Sequence, residues 1–282
     1  MSLILHKMLK IKVVILFRET TLENICWLYT HHHIILRILA LPLLKLNHFS
    51  VRQFEHLVGI SQGITFFYRK VLHRNDIITI PLESVNLESY YVQYELIEKY
   101  RKYLGLYNSK DTLILYAGSL KPYRRVDLLI DAFAILLKRL AEKQYEAVVK
   151  LLIMGSGYSK HYYQKLAETL GIVDHVILLP WIPKSEVKIY LSAADICVDT
   201  YPRKALTPSD KILEYMACSK CIVAPDIPAN YLLLENGVSG LLFKVNDKYD
   251  LAEKLETVVC NAKLRKQLGN NAWRKVNSHF NV

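Results

Sequence analysis

From Leu113 onward, short apolar runs alternate with stretches of helical spacing, and this alternation restricts the fold more than any other feature of the chain. Leu113–Ala117, LILYA, ends at Gly118. The loop SLKPYRR follows, and then VDLLIDAFAILLKRL places its apolar residues at helical spacing. The pattern repeats in VVKLLIM, which ends at Gly155-Ser156-Gly157 and leads into a helix pattern through Leu170. VILLPW, SEVKIYLSAA, DICVDT, a helix over Lys211–Ala217, CIVAP and GLLF continue it. Apolar, β-branched strands separated by helices predict an α/β domain whose parallel sheet is covered on both faces. Ligands of such sheets bind beyond the C-terminal strand ends. Gly118, Gly155 and Thr200 lie at such ends, so a site assembled from several loops on one rim is expected.

The run Thr207-Pro208-Ser209-Asp210-Lys211 opens a helix on that rim with small polar residues and a lysine, and Glu214 follows one turn in. A helix start offers unpaired N–H groups and a partial positive charge, which suit a phosphate. A carboxylate one turn on can accept hydrogen bonds from two adjacent sugar hydroxyls. Together these residues describe a seat for a nucleoside diphosphate, with its ribose at Glu214. The same residues also fit an ordinary capped helix, with Ser209 as N-cap and Glu214 in solvent. Arg124 and Arg125 follow the first strand and read either as phosphate ligands or as a solvated loop pair.

The elements YAGSLKPYRRVDLLIDAF, LLIMGSG, VILLPWIPKSEVKIYLSAADICVDTY, SDKILEYMACSKCIVAPD and ENGVSGLLF resemble, in order and spacing, the C-terminal domain of the group-1, family-4 retaining glycosyltransferases of GT-B fold. The likeness runs from about Leu113 to Asn277. HLVGISQGITFFYRK and DIITIPLESVNLESY resemble, more weakly, the end of that family's N-terminal domain. The resemblance implies hexosyltransferase-type transfer of a sugar from a nucleotide diphosphate sugar, with retention of anomeric configuration. It places Glu214 on the donor ribose, Arg124 at a lysine that grips the diphosphate, and Ser119 at a second phosphate-binding arginine. Trp181 and Ile182 fall in the loop along the nucleobase, and Thr207, Ser209 and Lys211 at the phosphate-facing helix start. No cofactor or metal is implied, because Arg124, Arg125, Lys211 and the helix start supply the positive charge that a departing diphosphate needs.

The chain departs from the family pattern in three places. Where many members carry a first glutamate, eight positions from Glu214, it has Leu206, as does a subgroup with an S-x-K-x-x-E-Y-M pattern. The glycine that usually follows the phosphate lysine is Arg125, and the glycine that closes the later helix is Ser219. Only 112 residues precede Leu113, with strands expected at Lys12–Phe17 and Ile77–Pro81. The expected organisation is therefore a partial N-terminal, acceptor-side Rossmann-like domain over 1–88, a linker over 89–111 and a nucleotide-sugar-binding domain over 112–282. This reads as a chain truncated mainly at its N-terminal side, either a gene fragment or a chain whose missing half a partner chain supplies. A non-catalytic nucleotide-binding subunit and a GT-B sugar-nucleotide epimerase remain as alternatives. No residue of Met1–Ser109 is assigned to catalysis; His31, His32, His33 and Glu19 are candidates by chemistry alone.

Composition narrows the partners. A net charge of +11 on 282 residues favours acidic ones: nucleotide phosphates or anionic lipid. No nucleic-acid-binding module is present, and no apolar run reaches the roughly 20 residues needed to span a bilayer. His31–Phe49 is apolar with scattered positive charge and carries Pro42, so it reads as a membrane-surface segment serving a lipid-linked or glycan acceptor, or as a buried helix. A cytoplasmic location is expected, with peripheral membrane contact. Three consecutive histidines point in different directions on a helix and make a poor metal site. Five cysteines argue against a disulfide framework, and the lone Cys218/Cys221 pair reads as structural. The five tyrosines of ESYYVQYELIEKYRKYLGL read as packing between domains.

Overall fold

A computed structural model describes residues 14–17, 56–59, 65, 68–70, 72–79, 84–202 and 209–281. His31–Phe49, Glu19, Leu206 and Thr207, about which expectations were stated, lie outside the described residues. The chain divides into two units, the first of Met1–Glu83 with Ala205–Thr207 and the second of Ser84–Lys204 with Pro208–Val282.

In the first unit three short strands pair in parallel: β1 (Val14–Phe17), β2 (His56–Gly59) and β3 (Ile78–Thr79), in the order β1-β2-β3. They agree with the strands expected near Lys12–Phe17 and Ile77–Pro81. Leu57, Val58, Tyr68, Leu72 and Ile77 are buried here. Arg69 donates from Nη2 to the Ile77 carbonyl at 2.6 Å, which fixes the chain as it enters β3.

The second unit is a six-stranded parallel sheet. Its strands are β4 (Thr112–Ala117), β5 (Val149–Met154), β6 (Val176–Leu179), β7 (Ile196–Val198), β8 (Cys221–Pro225) and β9 (Leu241–Phe243), in the order β6-β5-β4-β7-β8-β9. α1 (Tyr94–Tyr103) precedes β4; α2 (Val126–Glu142), α3 (Lys160–Thr169), α4 (Lys184–Ala193), α5 (Asp210–Ala217) and α6 (Pro228–Tyr231) run between the strands; and α7 (Lys248–Cys260) and α8 (Ala262–His279) follow β9. Alternation within β4 makes both faces. Ile114 and Tyr116 join the core under α2, α3 and α7, while Leu113, Leu115 and Ala117 join the core under α4, α5 and α8. Helix α2 buries Val126, Leu129, Ile130, Phe133, Leu136 and Leu140, the three- and four-residue spacing read from the sequence. Successive strands run outward from β4 through β5 to β6, and the chain then returns to place β7 on β4's other side. The crevice of such a sheet opens where the order reverses, beyond the ends of β4 and β7.

Two of the family's glycine positions are explained by backbone geometry. Arg125 joins a 3-10 turn (Pro122–Arg124) to α2 with φ 54° and ψ 42°. Ser219 has φ 55° and closes α5 in a Schellman arrangement, with Lys220 N–H on the Tyr215 carbonyl and Ser219 N–H on that of Met216. Both are left-handed, which costs a non-glycine residue about 1 kcal/mol. Ser219→Gly is therefore expected to raise unfolding stability by up to about 1 kcal/mol in urea titration; a loss of stability would contradict the left-handed closure.

The tyrosines of the 84–111 region divide by role. Tyr100 packs edge-on against Tyr190 of α4 at 5.0 Å, and Tyr90 is half-buried on the second unit's own core, whereas Tyr91, Tyr94 and Tyr103 are exposed. Tyr90 and Tyr100 thus pack within the second unit. Among the described residues no helix is long and apolar enough to cross a membrane.

Candidate donor site

The rim is built by close backbone approach. Gly118 N–H donates to the Met154 carbonyl and Leu120 N–H to that of Ser156, each at 2.9 Å, so the loops after β4 and β5 run side by side. A Cβ on Gly155, whose φ is +151°, would lie 1.8 Å from the Gly118 oxygen. Gly155 is therefore required by contact. Gly118 itself faces the Lys211 side chain, with Cδ and Nζ each 3.3 Å from where its Cβ would be.

Lys211 is held firmly. Its Nζ donates to Asp199 Oδ1 at 2.7 Å and sits 4.4 Å from the centroid of the Tyr116 ring. Asp199 ends β7 and its side chain is only 3% exposed, so the pair forms a buried positive–negative couple beside Gly118. Burial, and next the Asp199 charge, push the Tyr116 phenol up, so it stays protonated and donates to the Ser119 carbonyl at 3.0 Å. Ser119 thus contributes its backbone here.

Arg124 presents a different arrangement. Its guanidinium lies 4.3 Å from the Tyr201 ring centroid and 5.3 Å from that of Tyr123, and its carbonyl accepts from the Thr200 hydroxyl at 2.6 Å. Its Nε is buried and makes no hydrogen bond among the described residues. A buried cationic donor left unpaired is costly, by about 1–3 kcal/mol. Two aromatic faces orient the planar group without using its N–H edge, which leaves that edge for an oxyanion. Arg125, in contrast, turns away: its Nε donates to Asp127 at 3.2 Å and its Nη1 to Asn246 at 2.5 Å. The two adjacent arginines therefore do different things.

Helix α5 buries Ile212, Leu213, Tyr215, Met216 and Ala217, leaving Lys211 and Glu214 partly exposed on its other side. Tyr215 anchors it, its hydroxyl accepting from Ala117 N–H at 3.2 Å. Ser209 is the N-cap by backbone conformation, but its hydroxyl makes no capping bond. Glu214 lies 3.7 Å from Lys184, the first residue of α4. Trp181 and Ile182 immediately precede α4; Trp181 is 66% exposed, while Ile182 is packed on the core. Tyr90, half-buried, packs on the core that holds Leu213 and Ala217 of α5. Gly118, Ser119, Arg124 and Lys211 thus gather where β4 and β7 end, and Glu214, Trp181 and Ile182 gather about the starts of α4 and α5.

Sequence reasoning missed Asp199, Tyr116 and Tyr201. All three sit at or next to strand ends, in TLILYA and DICVDTY, and a carboxylate ending an otherwise apolar strand was the available signal.

Known proteins can now be set beside this geometry. The family model for glycosyl transferases group 1 matches residues 98–275, more than half of the chain. The chain belongs to this family. It is 30% identical over 170 residues to a D-inositol 3-phosphate glycosyltransferase of Thermobifida fusca, covering 59% of the chain and 38% of that protein. It is 25% identical over 238 residues to an uncharacterized glycosyltransferase of Methanocaldococcus jannaschii, covering 80% of the chain and 55% of that protein. The chain thus spans roughly two fifths to just over half the length of these curated relatives. HepE of Anabaena, crystallised in complex with UDP, superposes with a TM-score of 0.80 at 18% identity, over 99% of this chain and 71% of HepE. The fold is that of the GT-B glycosyltransferases.

Proposed function

We propose that this group 1 glycosyltransferase chain holds a nucleoside diphosphate sugar on the rim beyond β4 and β7 and takes part in hexosyl transfer with retention, as a family-4 enzyme. The observation that carries this reading is Arg124, a guanidinium stacked on Tyr201 with a buried, unbonded Nε at the point where strand order reverses. Arg124 would grip the diphosphate, and Lys211, steadied by Asp199, would add positive charge beside Gly118. Transfer with retention leaves a diphosphate as the leaving group, so fixed positive charge there lowers the barrier directly. Glu214 would receive the ribose hydroxyls and Trp181 would cover the base. The acceptor, lipid-linked or glycan, is a further part of this reading, to which the net charge of +11 lends support for an anionic carrier. Family membership and the glycosyltransferase names of the relatives favour transfer over the epimerase and non-catalytic readings.

The test is Glu214→Ala. Two charge-assisted hydrogen bonds, each worth about 1.5–3 kcal/mol, would be lost, so affinity for the best of UDP, GDP and ADP should fall at least about tenfold in calorimetry. Thermal stability should stay near that of the unmodified chain. Equal affinity in both proteins would remove Glu214 from the site.

A further inference from the structure

We propose that Tyr201 is a positioning residue of the donor site, its ring holding the Arg124 guanidinium in the orientation that meets the diphosphate. This rests on the reading of Arg124 given above and adds a residue that acts on the donor through that arginine.

The two residues come from different loops of the rim. Arg124 ends the 3-10 turn Pro122–Arg124 after β4, and its N–H donates to the Lys121 carbonyl at 2.9 Å. Thr200 and Tyr201 stand just past β7. The buried Thr200 hydroxyl donates to the Arg124 carbonyl at 2.6 Å, which ties the two loops together and fixes the arginine's backbone. The next residue, Tyr201, then sets its ring centroid 4.3 Å from the guanidinium.

Such a contact acts on the guanidinium in two ways. A ring face attracts the cation through its quadrupole, most strongly where water is excluded. It also engages the flat face of the group, so the N–H donors in its plane stay available. The buried Nε, which makes no hydrogen bond among the described residues, is one of them. An arginine side chain has many rotamers, and fixing one before the ligand arrives removes that cost from binding. Tyr123 contributes less, because its centroid is 5.3 Å from the guanidinium and the residue is 47% exposed. The two rings stand 5.5 Å apart at 51°, forming one tilted aromatic corner beside Arg124.

The test is calorimetry with UDP, GDP and ADP, each beside its nucleoside. It compares the unmodified chain with Tyr201→Phe, Tyr201→Leu, Tyr123→Leu, Arg124→Ala and the double variant Tyr201→Leu/Arg124→Ala. Tyr201→Phe keeps a ring and should hold diphosphate affinity within about twofold. Tyr201→Leu should lower it by about fivefold or more while leaving nucleoside affinity unchanged, and Tyr123→Leu should lower it less. Without Arg124, Tyr201→Leu should cost nothing further, because the ring acts through that group. Fluorinated phenylalanines at position 201 weaken the quadrupole at nearly constant size, so diphosphate affinity should fall with each added fluorine even where Tyr201→Leu folds poorly. Equal affinities along that series would overturn the proposal while leaving Arg124 in place. So would a loss in Tyr201→Leu that persists without Arg124 or falls equally on the nucleoside, a matching loss in Tyr201→Phe, or a larger one in Tyr123→Leu. No effect of Arg124→Ala would remove the reading of Arg124, and with it the role of Tyr201.

Discussion

Gly155→Ala is expected to cost about 3 kcal/mol or more of stability and to abolish nucleoside diphosphate binding. Two effects add. The φ of +151° is one that L side chains rarely adopt, and the new Cβ would stand 1.8 Å from the Gly118 oxygen, a backbone atom that cannot swing aside. The loops after β4 and β5 must separate, breaking the paired bonds from Gly118 to Met154 and from Leu120 to Ser156. Gly118 and Ser119 then leave the positions that face Lys211 and Tyr116. Gly237→Ala is the control, since φ there is +79° and nothing lies within 4 Å of its Cβ. That change should show backbone strain alone, about 1 kcal/mol, with binding intact. Urea titration of both variants decides the matter, and similar losses would mean that contact at the rim is unimportant.

Arg124→Ala is expected to lower affinity for the diphosphate by at least about thirtyfold while leaving affinity for the corresponding nucleoside unchanged. Arg124 lies beside two aromatic rings with its buried Nε making no hydrogen bond among the described residues, and a hydrogen bond to a charged group there is strong because the site is partly desolvated. Arg125→Ala should have a much smaller effect on binding, because that guanidinium is already engaged by Asp127 and Asn246. Salt titration gives an independent measure: the diphosphate affinity of the unmodified chain should fall as ionic strength rises, and that of Arg124→Ala should fall less. If Arg125→Ala proves the more damaging, the phosphate contact belongs to the neighbouring residue.

Much of this fold is visible in the chain because its strands are buried on both faces. An apolar run such as LILYA followed by a glycine and a helical pattern has few other solutions, and the parallel sheet followed. The rim position of Gly118 and Gly155 was visible for the same reason. Pairing across the rim was not. Lys211 reads as a phosphate ligand in the sequence, yet its Nζ is 2.7 Å from Asp199, a residue twelve positions earlier and just past β7. The start of α5 meets the end of β7 only in the fold, and spacing along the chain does not encode it. The Arg124–Arg125 pair likewise reads as two equal cations. Their division follows from the left-handed conformation of Arg125, which sends the second side chain toward Asp127 and Asn246.

The central claim is that the rim beyond β4 and β7 binds a nucleoside diphosphate. The most direct measurement is calorimetric titration of the unmodified chain with UDP, GDP and ADP, each beside its nucleoside. At least one diphosphate should bind about tenfold or more tightly than its nucleoside, with the difference shrinking as salt is raised. Binding of a nucleoside as tight as that of its diphosphate, or no binding of any of the three, would contradict the account.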